Sequence, residues 1–192
     1  MHNTATRVIA ALFLLTASGA ALAHPGHDIS GFAAGILHPF TGLDHMLAML
    51  AVGLWAATLG GAAMWKTPAA FVLALLVGAG LGMHGSHQPL MTPFIALSVL
   101  LLGLAVALTL RVSETTSIAM VSLFALFHGY AHGAELPETS SSDLYLLGMT
   151  LASIALHLTG LGTAHLLKHH RWVLRSTGVV IAGAGVWMVA GM

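Results

Sequence analysis

The sequence lacks cysteine and has very little charge. None of its 192 residues is Cys, which excludes disulfides, thiolate metal sites and thiol redox chemistry. Only 6% of the residues are charged, whereas a soluble domain carries about 25%. Six Lys and Arg residues balance six Asp and Glu residues, so nothing suggests a nucleic-acid partner. A chain this poor in charge cannot cover a water-facing surface, and the composition therefore predicts an integral membrane protein.

Long apolar stretches make up most of the chain. Hydrophobic residues account for 57% of the sequence, and the mean hydropathy is +0.91. A helix needs about 20 mostly apolar residues to cross a bilayer. Six such stretches cover 38–59, 68–86, 90–110, 117–135, 143–166 and 172–191. We therefore predict an all-α fold in which residues 24–192 form a single domain, a polytopic bundle of six transmembrane helices in the lipid bilayer.

Residues 1–23 have the pattern of a signal peptide. Arg7 provides a positive start, the apolar run VIAALFLLTASGA follows, and Ala21-Leu22-Ala23 fits the small-x-small cleavage rule. The apolar run is shorter than a spanning helix requires. An uncleaved first helix remains an alternative. Cleavage would expose His24 as the new N-terminus, outside the cytoplasmic membrane of a bacterium.

The basic residues predict the orientation of the bundle. Lys and Arg favour cytoplasmic loops. With the mature N-terminus outside, every Lys and Arg after the signal lies on the predicted inner side; these are Lys66, Arg111, Lys168, Arg171 and Arg175. We therefore expect a multi-pass protein of the inner membrane with both mature termini on the periplasmic side.

Histidine is abundant where charge is scarce, with 13 residues. The stretch HPFTGLDHMLAMLAVG opens the first predicted span with His38, Asp44 and His45. Pro39 fits the first turn of a helix, where its missing N–H costs nothing. Ionisable groups inside a membrane span are costly and usually functional.

A second polar stretch, FHGYAHGAE, ends the fourth predicted span. His128 and His132 are spaced i, i+4 and Glu135 follows three residues later, so all three share a helix face. Gly129 and Gly133 would let another helix approach this face closely. Because the first and fourth spans run in opposite directions, we expect the two polar stretches to meet at one depth. Imidazole and carboxylate together suit ions such as Zn, Cu, Fe and Ni.

Three further histidines fit a path for a metal ion. His24 and His27 would capture an ion at the mature N-terminus, and His157 would offer a deeper step within the fifth span. Capture of metal by His24 and His27 stays open, and the alternative for His157 is a hydrogen-bonded packing residue.

The two polar stretches together resemble the signature motifs of the HupE/UreJ family, and the resemblance covers nearly the whole chain. It implies a nickel permease, or in some branches a cobalt permease, associated with the maturation of hydrogenase or urease. It also carries the family's motif residues over to His38, Asp44 and His45 in the first stretch. In the second stretch they are His128, His132 and Glu135.

From these features we predict a secondary transporter that imports Ni²⁺, or Co²⁺, and holds no prosthetic group. The sequence contains no G-x-x-x-x-G-K-[ST] loop for ATP. We expect no enzymatic activity. Two alternatives remain open: a membrane-embedded zinc-dependent hydrolase, and a metal-binding accessory subunit without transport of its own. A homo-oligomer is compatible with either.

Overall fold

The computed structural model describes residues 31–85, 91–136 and 141–192. Within these ranges the chain forms seven α-helices and no strand, which confirms the all-α prediction. The helices are α1 (Gly31–Thr41), α2 (Leu43–Leu59), α3 (Ala63–Gly82), α4 (Met91–Ala107), α5 (Glu114–Ala134), α6 (Ser142–Leu166) and α7 (Arg171–Ala190). The predicted signal peptide, His24 and His27 lie outside the described residues.

Several helices have the length and composition of membrane spans. Three of them, α3, α6 and α7, are long and apolar enough to cross a bilayer, and the α1–α2 pair would make a fourth if it counts as one broken span. The apolar helix α4 is shorter, at 17 residues. The chain is thus a helical protein with several membrane-spanning candidates, and the number six stays a prediction.

The first predicted span is not one helix. The prediction of a continuous helix over 38–59 is wrong, because α1 and α2 differ in direction by 80°. Gly42 between them is extended, with φ −92° and ψ 109°. Pro39 lies near the end of α1, not in the first turn of a spanning helix, and has no N–H to continue the helical hydrogen-bond ladder. The break turns the chain sharply between His38 and His45.

Small residues let α3 and α5 pack backbone to backbone. A Cβ added at Gly129 would collide with the carbonyl oxygen of Leu75, and one at Gly133 with that of Ala79. The contact is reciprocal, because Gly78 of α3 lies directly against the backbone of α5. In membrane helices, this small-residue packing replaces the hydrophobic drive that lipid cannot supply.

The outer surface of the bundle is apolar. Large hydrophobic side chains on α3 and α7 are mostly exposed, with Val180 and Trp187 each 71% exposed. A soluble monomer rarely shows so large an apolar surface, whereas a lipid-facing one requires it. The centre is filled by Trp55, Phe71 and Met49, all fully buried.

We expect Gly129→Ala and Gly133→Ala to destabilise the bundle by about 1–3 kcal/mol each, because the added methyl groups push α3 away from α5. Thermal unfolding of the detergent-purified protein would measure this as a lower Tm. Gly80→Ala in α3 is the matched control, since a Cβ there meets nothing within 4 Å. Equal effects at all three positions would contradict close α3–α5 packing.

Candidate metal centre

Three helices bring one histidine each to a common point. His38 comes from α1, His45 from α2 and His132 from α5. Each offers one ligand atom, and these atoms all lie within 4.8 Å of one another. The rings of His45 and His132 have centroids 4.2 Å apart, and those of His38 and His132 are 4.7 Å apart. The two polar stretches thus meet, as the sequence predicted.

His128 extends this group toward the interior. Its ring lies 5.0 Å from that of His45, one helical turn before His132 on α5. Its Nδ1 lies 3.0 Å from the carbonyl oxygen of Phe124, which leaves Nε2 for other partners. We call His38, His45, His128 and His132 the histidine cluster. Three of its members are buried, and His38 is half-buried.

A carboxylate contacts the cluster on each of two sides. Asp44 Oδ1 lies 2.9 Å from His45 Nδ1 in a contact not aligned as a hydrogen bond, and it accepts a hydrogen bond from the His45 backbone N–H at 2.8 Å. Glu135 Oε2 lies 3.5 Å from His38 Nε2 at the end of α5. Glu135 is the more exposed of the two carboxylates, with 47% of its side chain accessible. Both carboxylates contact histidines and lie at the rim of the site.

Buried imidazole nitrogens in the cluster lack hydrogen-bond partners. Among the described residues, neither ring nitrogen of His132 nor Nε2 of His128 makes a hydrogen bond. Buried polar atoms are normally paired, because an unpaired one keeps the full cost of leaving water. Packing histidines would be expected to bond a neighbouring backbone or hydroxyl group, so this donor set fits a cation ligand better than a packing role.

His157 stands apart from the cluster. Its ring packs edge-on against Phe71 with centroids 5.0 Å apart, and Phe71 in turn lies 5.9 Å from His128. The backbone of His157 abuts Gly53 of α2, eight residues beyond His45 and therefore about 12 Å deeper along that helix. Both nitrogens of His157 are buried without a hydrogen-bond partner in the described part of the chain. The buried ring of Phe71 thus lies between the imidazole of His128, which belongs to the cluster, and the imidazole of His157.

Two features of the site were not predicted. The ring of Tyr145 on α6 lies 5.8 Å from His38, and its buried hydroxyl has no hydrogen-bond partner among the described residues. A cavity of about 70 Å³ beside Asp44 and His45 is bordered by Thr92 and Glu135. Neither Tyr145 nor Thr92 lies in a sequence pattern that separates it from ordinary helix residues.

The helix that packs against Gly129 and Gly133 is α3, which the sequence did not identify. These glycines pack on α3, which contributes Phe71 to His128. The histidines themselves face α1 and α2, which approach from another side of α5. The sequence therefore predicted close packing beside the imidazoles but not which helix would supply it.

The donor set defines the chemistry that the centre can perform. Imidazole nitrogens with nearby carboxylates suit borderline divalent ions such as Ni²⁺, Co²⁺ and Zn²⁺, and no thiolate is available to select a soft ion. Nitrogens bound tetrahedrally at about 2.1 Å lie about 3.4 Å apart, so an ion would need to draw ligand atoms that now lie within 4.8 Å closer by up to about 1.4 Å. Fold and site together define a helical membrane protein with a buried histidine cluster.

Comparison with known proteins gives the family. The sequence model described as HupE / UreJ protein matches residues 12–188. Protein HupE of Rhizobium leguminosarum bv. viciae is 42% identical over 192 residues, covering 99% of each chain. This chain belongs to the HupE/UreJ family. No solved structure matches it significantly.

We expect Asp44→Asn to weaken Ni²⁺ binding by about 10–100-fold, because the carboxylate that orients and polarises His45 would lose its charge. Calorimetric titration of the purified protein would measure the affinity. Asp143→Asn removes the same charge from an exposed side chain at the start of α6 that forms no salt bridge with a described histidine, and it should leave the affinity unchanged. Unaltered binding in Asp44→Asn would show that Asp44 does not act on His45.

Proposed function

We propose that this protein is a secondary transporter that imports divalent transition-metal ions, nickel first and cobalt as the alternative, across the bacterial inner membrane. The observation that supports this most strongly is the meeting of His38, His45 and His132 from three separate helices. Such a centre can form only in the folded bundle, and it can be altered by relative movement of those helices. A transport site needs both properties.

The proposed ligands divide into two roles. His38, His45, His128 and His132 supply the nitrogen donors. Asp44 and Glu135 bring two negative charges that balance a divalent cation and lower its cost of leaving water. Asp44 also leaves Nε2 of His45 available for the ion by contacting Nδ1.

The proposed route continues from the cluster to His157. An ion captured at the outer end, with His24 and His27 as first contacts, would pass Phe71 to reach that second set of unpaired nitrogens. The membrane potential favours inward movement by about 2.3 kcal/mol per charge per 100 mV. Phe71 must move for the ion to pass, so a leak through the resting protein is not expected.

The proposal includes no catalytic activity and no prosthetic group, since the metal is the cargo. Resemblance to the family supports a supply role for nickel-enzyme maturation, with hydrogenase or urease as the consumer. Neither the described residues nor the comparisons favour a zinc-dependent hydrolase, and we do not propose one. The accessory-subunit alternative is separated from transport by the uptake measurement below.

Radioactive Ni²⁺ uptake into proteoliposomes that contain only this protein tests the proposal. We expect His132→Ala to abolish uptake, because it removes a fully buried ligand from the centre of the cluster. His169→Ala, an exposed histidine between α6 and α7, should transport normally. Competition by Co²⁺ would rank the two metals. Binding without uptake in the wild type would reduce the protein to a metal-binding accessory subunit.

The cysteine-free sequence makes the proposed orientation directly testable. We expect a cysteine at position 141 (Ser141→Cys) to react with a membrane-impermeant maleimide in intact spheroplasts, because Ser141 precedes α6 on the predicted periplasmic side. His169→Cys, at the other end of α6, should react only after permeabilisation. Both positions are exposed, so a reversed labelling pattern would mean the opposite orientation.

A further inference from the structure

A large cavity lies at the end of the bundle opposite the histidine cluster. It has a volume of about 570 Å³, within the range typical of ligand sites. Its walls come from the end of α2, the start of α3, the α4–α5 connection, the end of α6 and the start of α7. Thr58 at its edge is 13 residues from His45, or about 20 Å along the axis of α2.

The cavity concentrates positive charge. Arg111, Lys168 and Arg171 line it, three of the six Lys and Arg residues in the whole sequence, and no acidic residue does. No carboxylate in the described part of the chain forms a salt bridge with any of them. Lys66 at the same end differs, because it pairs with Glu114 at 2.7 Å. The preference of Lys and Arg for the cytoplasmic side of a membrane explains why these residues lie at one end of the bundle. It does not explain why three of them line the same cavity.

The lining also includes apolar surface that continues to the outside of the bundle. Trp65 is 58% exposed and Leu158 is 51% exposed, and both border the cavity. Tryptophan favours the headgroup level of a bilayer. A ligand that matches this lining would have a negatively charged group that binds the cationic side chains and a hydrocarbon portion that packs against the apolar residues.

The start of α7 adds to the attraction for an anion. Arg171 is the first residue of α7, and His170 before it makes no side-chain cap hydrogen bond. The positive end of the helix dipole therefore lies at the same end of the bundle as the three cationic side chains, which favours an anion there.

We propose that this basic cavity binds the phosphate of an anionic phospholipid, with the acyl chains lying along Trp65 and Leu158. Basic pockets between transmembrane helices recognise lipid headgroups through the same chemistry. This inference does not depend on metal transport, since it rests on residues at the other end of the molecule. If transport occurs, the bound phosphate would also offset the repulsion that three cations exert on a departing metal ion.

Native mass spectrometry of the full-length protein with added phosphatidylglycerol or phosphatidylcholine tests the proposal. Each cation near a headgroup strengthens binding roughly fivefold, so we expect phosphatidylglycerol to bind up to about a hundredfold more tightly. The triple variant Arg111→Gln, Lys168→Gln, Arg171→Gln should lose this preference. Lys66→Gln, which removes a paired charge outside the cavity, should keep it. Equal binding of both lipids, or an unchanged preference in the triple variant, would overturn the proposal.

A second measurement needs no change in the charged residues. Phosphatidylglycerol with a spin-labelled acyl chain should quench more of the tryptophan fluorescence than spin-labelled phosphatidylcholine does. The excess should disappear in Trp65→Phe. A separate titration with inorganic phosphate tests whether the cavity binds a free anion instead of a lipid. If it binds and phosphatidylglycerol shows no excess quenching, the cavity serves a soluble anion and the lipid proposal is wrong.

Discussion

The sharp turn at Gly42 is the constraint on which the histidine cluster depends. His38 and His45 are seven residues apart and would lie about 10 Å apart along one straight helix. Because α1 and α2 differ in direction by 80°, their rings come to 6.1 Å and both reach His132. The turn thus converts a linear pattern of polar residues into a compact group of ligands.

Close packing on α6 holds both arms of that turn. A Cβ at Gly35 of α1 would strike the carbonyl oxygen of Tyr145, and one at Gly53 of α2 would strike that of His157. The same helix therefore positions α1 and α2 and carries both Tyr145, which lies beside His38, and His157. Any relative movement of α6 would change the ligand geometry and the surroundings of His157 together.

The sequence predicted which polar stretches meet better than it predicted the course of the backbone that brings them together. The spacing of His128 and His132 fixes their common face through helix periodicity alone, and the cost of burying polar groups in lipid predicts that two polar stretches meet. The turn at Gly42 could not be predicted in this way, because its cause includes the contact of Gly35 with α6. The separation of His157 by Phe71 likewise depends on how α3 packs, which no local pattern records.

The two ends of the molecule have opposite electrostatic character, and this bears on how an ion could leave. At the histidine cluster, Asp44 and Glu135 favour a divalent cation. About 20 Å away, the basic cavity disfavours one. An ion moving between them would leave two negative charges and approach three positive ones, so the resting charge distribution would retain a bound metal ion rather than release it. Release then requires either a rearrangement that weakens the cluster or an anion in the cavity. A membrane rich in anionic lipid would supply that anion without any further protein, which would make the lipid composition part of the energetics of transport.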